Sequence, residues 1–224
     1  MRSKVFLFVL CIIGGLLNTA INLVFLHRAG IPLFLDTIFT ISITMMAGPF
    51  WGSLTGVIYT LIAHSIAFWG GWKGYLFALC GIATALITWL FIRLFPMELN
   101  LFSQQDSKLS FAQSKSRRLN MIMGKIIVLI LLSFALCIAM SVLGGLIAAF
   151  IIYNDPVLLE GRYVTGFFAS TMFPDGSSLI LTEILSRIPV NIVDRLISAF
   201  AGYGIALVSI RLALKRFPRL FMRE

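Results

Sequence analysis

The sequence is poor in charge. Lysine, arginine, aspartate and glutamate make up 12% of its 224 residues, and 59% are hydrophobic. An ordinary soluble domain carries about 25% charged residues. With a mean hydropathy of +0.99, the chain could not cover a water-facing surface with polar groups. That excludes a soluble domain and an intrinsically disordered segment. Cysteine is scarce too. Cys11, Cys80 and Cys137 all lie inside apolar runs, which excludes a disulfide scaffold and reads as buried thiols without a metal or redox role. The only histidines are His27 and His64. GxxxxGK[ST], HExxH, CxxC and GxSxG are all absent. No phosphate-binding loop, zinc-protease site, dithiol or serine nucleophile is therefore recognisable. The expectation is a protein that is not an enzyme and binds no metal and no cofactor of its own. The apolar runs are continuous and do not alternate, which argues against an outer-membrane barrel. What remains is an all-α integral membrane protein.

Apolar runs divide the single domain 1–224 into six predicted spans: about 5–26, 33–47, 50–69, 75–95, 122–153 and 189–212. A basic start and a long apolar run make 5–26 a retained span rather than a cleaved signal peptide. GPFWG turns the chain before the third span, WGGWKG precedes the fourth, and Pro96 ends it. Residues 96–121 are polar, serine-rich and basic, and read as a mobile linker. The connection 154–188 carries prolines and glycines, and its middle, RYVTGFFASTMF, is apolar enough to cover a pocket. A single helix from Leu179 to Lys215 would be about 55 Å long, so a break is predicted at Pro189.

The net charge of +9 would suggest nucleic acid in a soluble protein. Here the basic residues flank apolar runs, so the partner is the bilayer and not nucleic acid. In a six-span topology, 13 Lys and Arg residues fall on the side of the termini and the 96–121 linker, against 5 on the opposite side. The positive-inside rule then places both termini in the cytoplasm.

Polar residues within the spans are costly in lipid and mark structure or function. Asn18 and Asn22 share one face of the first span, Asp36 begins the second, and His64 lies near the outer end of the third. In EILSRIPVNIVDR, the residues Glu183, Arg187, Asn191 and Arg195 recur every four positions, with Asp194 beside them. Asn18, Asn22, Asp36, His64, Glu183, Arg187, Asn191 and Arg195, with Trp72 and Lys73 of WGGWKG, are the candidate substrate-binding residues. They admit two arrangements. One is an ion-pair network that orients helices, such as Asp36 with Arg195. The other is a polar pocket open to the outside. Small residues also recur every four positions, as in Gly48, Gly52, Gly56 and Thr60, and fit close helix packing. A shorter stripe, Cys11, Gly15 and Thr19, is a candidate docking face for a membrane partner.

The runs LFLDTIFTISITMMAGPFWGSLTGVIYTLI and RIPVNIVDRLISAFAGYGIAL resemble the substrate-binding S components of energy-coupling factor (ECF) transporters. The resemblance implies a six-transmembrane-helix bundle with both termini cytoplasmic. It implies a subunit that captures a vitamin or related micronutrient from outside and delivers it inward. A transmembrane coupling protein and two ATPase subunits would be its partners, with ATP used by the latter. It also implies a site built by Asn191, Arg195 and the loops 27–32 and 69–74. Many members carry an alanine-x-x-x-alanine patch on the first span for the coupling protein; here Gly15 and Thr19 stand nearest to it. Related six-span regions occur as sensors fused to signalling proteins, but this chain ends shortly after the sixth predicted span, so no fused output domain is expected. Two alternatives stand beside this reading: a stand-alone membrane sensor or scaffold, and a small secondary transporter. The latter predicts internal repeats, and the halves 1–112 and 113–224 show none.

The cationic asymmetry makes a prediction. Protease added to intact cells should leave the basic stretch Lys115–Arg118 uncut and should cut it in inverted vesicles. Cleavage from outside would overturn the orientation.

Overall fold

The structure is a computed structural model, and it describes residues 2–25, 33–67, 71–99, 101, 111–154 and 178–216. Their order is α1 (Arg2–Leu23), α2 (Ile38–Ala47), α3 (Pro49–Ala67), a 3₁₀ turn (Gly71–Phe77) that runs into α4 (Ala78–Leu94), α5 (Pro96–Leu99), α6 (Phe111–Asn154), α7 (Leu179–Leu185) and α8 (Ile188–Arg216). Among the described residues every regular element is helical. The loop 27–32, Trp69, residues 102–110 and the connection 155–177 lie outside the described residues.

The burial pattern is that of a protein in lipid. Along α1 the exposed residues include Val5, Phe6, Phe8, Val9, Ile13, Leu16 and Leu17, while Asn18, Thr19 and Asn22 are buried. In water this arrangement would be inverted. In a bilayer the apolar side chains face hydrocarbon and the polar ones find partners inside. Among the described residues, four helical stretches are long and apolar enough to cross a membrane: Lys4–Leu23, Gly71–Leu94, Leu119–Asn154 and Leu179–Ala213. The chain is a helical membrane protein.

Several elements depart from the sequence pattern. Leu33–Ala47 was predicted to be one span, but Leu33–Asp36 are not helical and α2 begins only at Ile38. Ten residues reach about 15 Å, half of a hydrocarbon core of about 30 Å. The lead-in is irregular because its polar groups bond to other helices. Leu35 N–H donates to Asp194 Oδ1 at 2.6 Å, and the Thr37 hydroxyl meets Arg195 instead of capping α2. The fifth helix was expected from Ile122 but starts at Phe111, so the residues 111–121 assigned to a mobile linker are helical. No glycine or proline interrupts Phe111–Met123, and polar residues continue a helix readily once it leaves the bilayer. Part of the connection before the last span forms α7. The chain then turns at Ser186–Arg187, and Pro189 is the second residue of α8, where a missing N–H costs little.

The small-residue stripes bring helices together. A Cβ on Gly56 would stand 2.7 Å from Gly81 Cα, and one on Gly202 would stand 2.9 Å from the Ile38 carbonyl oxygen. The α3–α4 and α2–α8 backbones therefore nearly touch. Where α2 turns into α3, Gly48 takes φ +94°, a left-handed conformation that favours glycine. A layer of Ile41, Leu132, Leu136, Ala199 and Ala206 joins α2, α6 and α8 below the polar end.

Gly56→Ala should wedge α3 from α4, because the clash is with backbone that cannot rotate away. The expected cost is about 1–3 kcal/mol, read as a lower unfolding midpoint in detergent. An unchanged midpoint would show that this crossing is loose.

Candidate functional site

The polar groups of the spans gather where α2 starts and α8 passes it. Arg195 lies at the centre. Its Nη2 is 3.0 Å from Asp36 Oδ1 and 2.9 Å from Asp194 Oδ2, and its Nη1 donates to the Thr37 hydroxyl. The side chains of Arg195 and Asp194 are 4% and 0% exposed, and that of Asp36 is 20% exposed. Two carboxylates thus share one buried guanidinium. In a low-dielectric interior such a cluster persists because each charge has a partner. Leu35 has φ +45°, which costs about 1–2 kcal/mol in a non-glycine residue. Its N–H bond to the Asp194 carboxylate holds it there.

Asn18 and Asn22 turn out to build this corner. Asn18 Oδ1 accepts from Phe39 N–H at 3.0 Å, and its Nδ2 donates to the Thr40 hydroxyl at 3.2 Å. Asn22 Nδ2 donates to the Phe34 carbonyl at 2.8 Å. The start of α2 has no capping side chain of its own, so α1 supplies the acceptor that a helix N-terminus needs. Asn191, the expected ligand contact, donates to Ser141 Oγ at 2.9 Å and is buried. It ties α8 to α6.

Glu183 and Arg187 form a second pair at 3.5 Å across the turn between α7 and α8. The Arg187 guanidinium also lies 6.0 Å from the centre of the Phe77 ring. His64 stacks on Phe77 with centroids 5.7 Å apart, has Tyr75 at 6.1 Å, and sets its Nδ1 against the Thr60 carbonyl. His64, Tyr75 and Phe77 thus form an aromatic group where α3 meets the 3₁₀ turn, and Tyr59 of α3 lies near Asp36. Trp72 and Lys73 join it by no hydrogen bond or ion pair among the described residues. Trp72 is 73% exposed, which suits an interfacial anchor rather than a site wall.

The candidate docking stripe requires correction. Cys11 and Thr19 are buried, and the Cys11 thiol donates to the Trp51 carbonyl at 3.3 Å. A Cβ on Gly15 would meet Ile58 at 2.6 Å. The stripe packs α1 onto α3, and a partner would have to displace α3 to reach it.

Sequence reasoning did not commit to Asp194, Thr37, Tyr59, Phe77 or Ser141. Asp194 is visible as an acid next to Arg195 in VNIVDR. The others carry no intramembrane charge to single them out. Nothing in the sequence could show that a backbone N–H of Leu35 completes the carboxylate's bonding. Comparison with protein-family models, with curated proteins and with solved structures finds no match.

Arg195→Met should strand two carboxylates, one of them fully buried. The expected loss is about 3–5 kcal/mol of stability. Asn191→Ala should cost about 1 kcal/mol for its bond to Ser141. Chemical denaturation in detergent measures both. Equal losses for the two variants would deny the guanidinium its central place.

Proposed function

We propose that the chain is the substrate-capturing membrane subunit of an energy-coupling factor type transporter, taking up a vitamin or related micronutrient. The observation that carries this reading is the ion cluster of Asp36, Asp194 and Arg195, partly open at Asp36 and with Tyr59 near it. Only Asp36 of the three is appreciably exposed. A purely structural network has no need of that opening. Such a combination suits a small, hydrogen-bonded, stackable molecule.

On this reading the chain has six spans, α2 and α3 included, in the cell membrane, with both termini in the cytoplasm. Supporting that orientation, the ion cluster lies towards one end of the bundle, and basic residues mark the other. Lys125 sits over the Tyr203 ring, eight residues beyond Arg195 along α8, and Arg93 lies over Trp89 near the end of α4. The chain has no phosphate-binding loop, so uptake would be powered by two ATPase partners through a transmembrane coupling protein. The docking face for that protein is not the Cys11–Thr19 stripe.

A secondary transporter remains the second reading, because one observation favours it. The helical path is interrupted at Leu33–Thr37 in one half of the chain and at Ser186–Arg187 in the other. Interrupted helices in both halves are a feature of such transporters.

The tagged chain purified from its own cells should bring a coupling protein and ATPases with it. Mass spectrometry of the same preparation should show a small molecule held in substoichiometric amount or better. The chain alone in liposomes should neither hydrolyse ATP nor concentrate that molecule. Accumulation by the chain alone under an ion gradient would give the second reading its proof and sink the first.

A further inference from the structure

At the end of the bundle away from the Asp36–Arg195 cluster, the last turn of α4 holds a cation on its lipid side. Arg93 is the next-to-last residue of α4 and falls inside the apolar stretch Gly71–Leu94. It is exposed, and so are Leu86, Trp89, Leu90 and Leu94 around it. At helical spacing these residues make one apolar strip, the kind that faces hydrocarbon. The Arg93 guanidinium carbon lies 5.5 Å from the centre of the Trp89 ring. Trp89 comes one turn earlier, so the Arg93 side chain runs back along α4 towards the middle of the span. Helical side chains take that direction, but here it keeps the guanidinium from reaching out to water.

A charge held on a lipid-facing surface at that depth is costly without a counter-ion. Among the described residues no carboxylate forms an ion pair with Arg93. The acid nearest to it in sequence, Glu98, turns to α6, where its Cγ is 3.4 Å from the place of a Cβ on Gly124. The same end of the bundle is rich in cations. Lys4 near the start of α1, Lys125 over the Tyr203 ring and Arg211 near the end of α8 lie there with Arg93. Glu98 is the acid that faces them among the residues whose side chains are described.

The indole prepares the arginine for an anion. A guanidinium over an aromatic face is held by the ring and keeps the N–H donors at its edge for an acceptor. Two such donors match two oxygens of a phosphate. At the end of a span the phosphates at hand are those of lipid headgroups. A zwitterionic lipid brings an ammonium beside its phosphate, which the surrounding cations repel; an anionic lipid does not. We infer that Arg93 and Trp89 form a seat for the phosphate of an anionic phospholipid. The inference does not depend on the capture reading above.

The test uses the full chain in nanodiscs of phosphatidylcholine, with and without phosphatidylglycerol. Native mass spectrometry of the released protein reads the lipid that stays bound, and thermal unfolding reads the stabilisation. Phosphatidylglycerol should be retained in preference and should raise the midpoint. Arg93→Gln should lower that preference about fivefold, as expected for one basic residue at an anionic surface. Trp89→Leu leaves every charge in place and should lower it about two- to fivefold, as expected for a lost cation–π contact. Arg211→Gln, at the same end of the bundle, should lower it less than either. Should Trp89→Leu fail to fold, Arg93→Lys takes its place: it keeps the charge without the planar fork, and should lower the preference where a diffuse field would not. No preference in the parent chain would overturn the inference. Equal losses for Arg93→Gln and Arg211→Gln, or none for Trp89→Leu, would also overturn it, because they mark a diffuse field and not a seat. Inorganic phosphate added to phosphatidylcholine nanodiscs at constant ionic strength should not raise the midpoint. Protection equal to that of phosphatidylglycerol would assign the anion to solution and end the lipid assignment.

Discussion

The guanidinium of Arg195 is the constraint on which the rest of the polar architecture depends. An arginine that is 4% exposed within an apolar bundle must be neutralised where it stands. Asp194 is its chain neighbour and Asp36 comes from the lead-in to α2, so the pairing fixes α2 against α8. Once that is done, the backbone before α2 cannot be helical. Leu35 N–H is taken by Asp194, and Thr37 is taken by Arg195. The first turn of α2 is left without a cap, and Asn18 of α1 supplies one. A single buried charge thereby dictates where three helices meet.

The same constraint explains why close packing appears where it does. A short helix with a polar start gains little by facing lipid. Instead α2 is enclosed, and its neighbours approach through glycine: Gly202 of α8 at the Ile38 carbonyl, Gly52 of α3 at Thr44, and Gly14 of α1 at Ile43. In lipid the drive for such contacts is packing and hydrogen bonding rather than release of water. The stripe on α1 is spent on this enclosure. Its period of four only says that something packs there, not whether the something is another chain.

What the sequence made legible follows from strong local rules. Continuous apolar runs marked the helices, Pro96 marked the end of the fourth span and Pro189 a break before the last, and the intramembrane charges made a pairing of Asp36 with Arg195 one of two arrangements. Boundaries set by tertiary bonding were not legible. Leu33–Asp36 are as apolar as many helical segments, and bonds to Asp194, Asn22 and Arg195 make them irregular. Residues 111–121 look like a linker by composition, because serine and lysine are common both in linkers and in solvated helix extensions. Asn18, Asn22 and Asn191 stood out as polar residues within the spans and were candidate substrate contacts, and they are buried. Their amides are used by Phe39, Phe34 and Ser141, partners that a sequence does not display.

The cluster need not be either structural or functional, because its two carboxylates differ. Asp194 is 0% exposed, bonds the strained Leu35 backbone and stays next to Arg195 by covalent connection. Asp36 is 20% exposed and belongs to another helix. Suppose that an incoming group draws Asp36 away from the guanidinium. Arg195 is then still neutralised by Asp194, and the fold keeps its tie between the α2 lead-in and α8 through the Leu35 bond. With a single aspartate, binding would compete directly with folding. With two, one carboxylate can be released to a ligand at modest cost while the other holds the bundle. That division gives a physical reason for placing two acids around one base in a region where every charge is expensive.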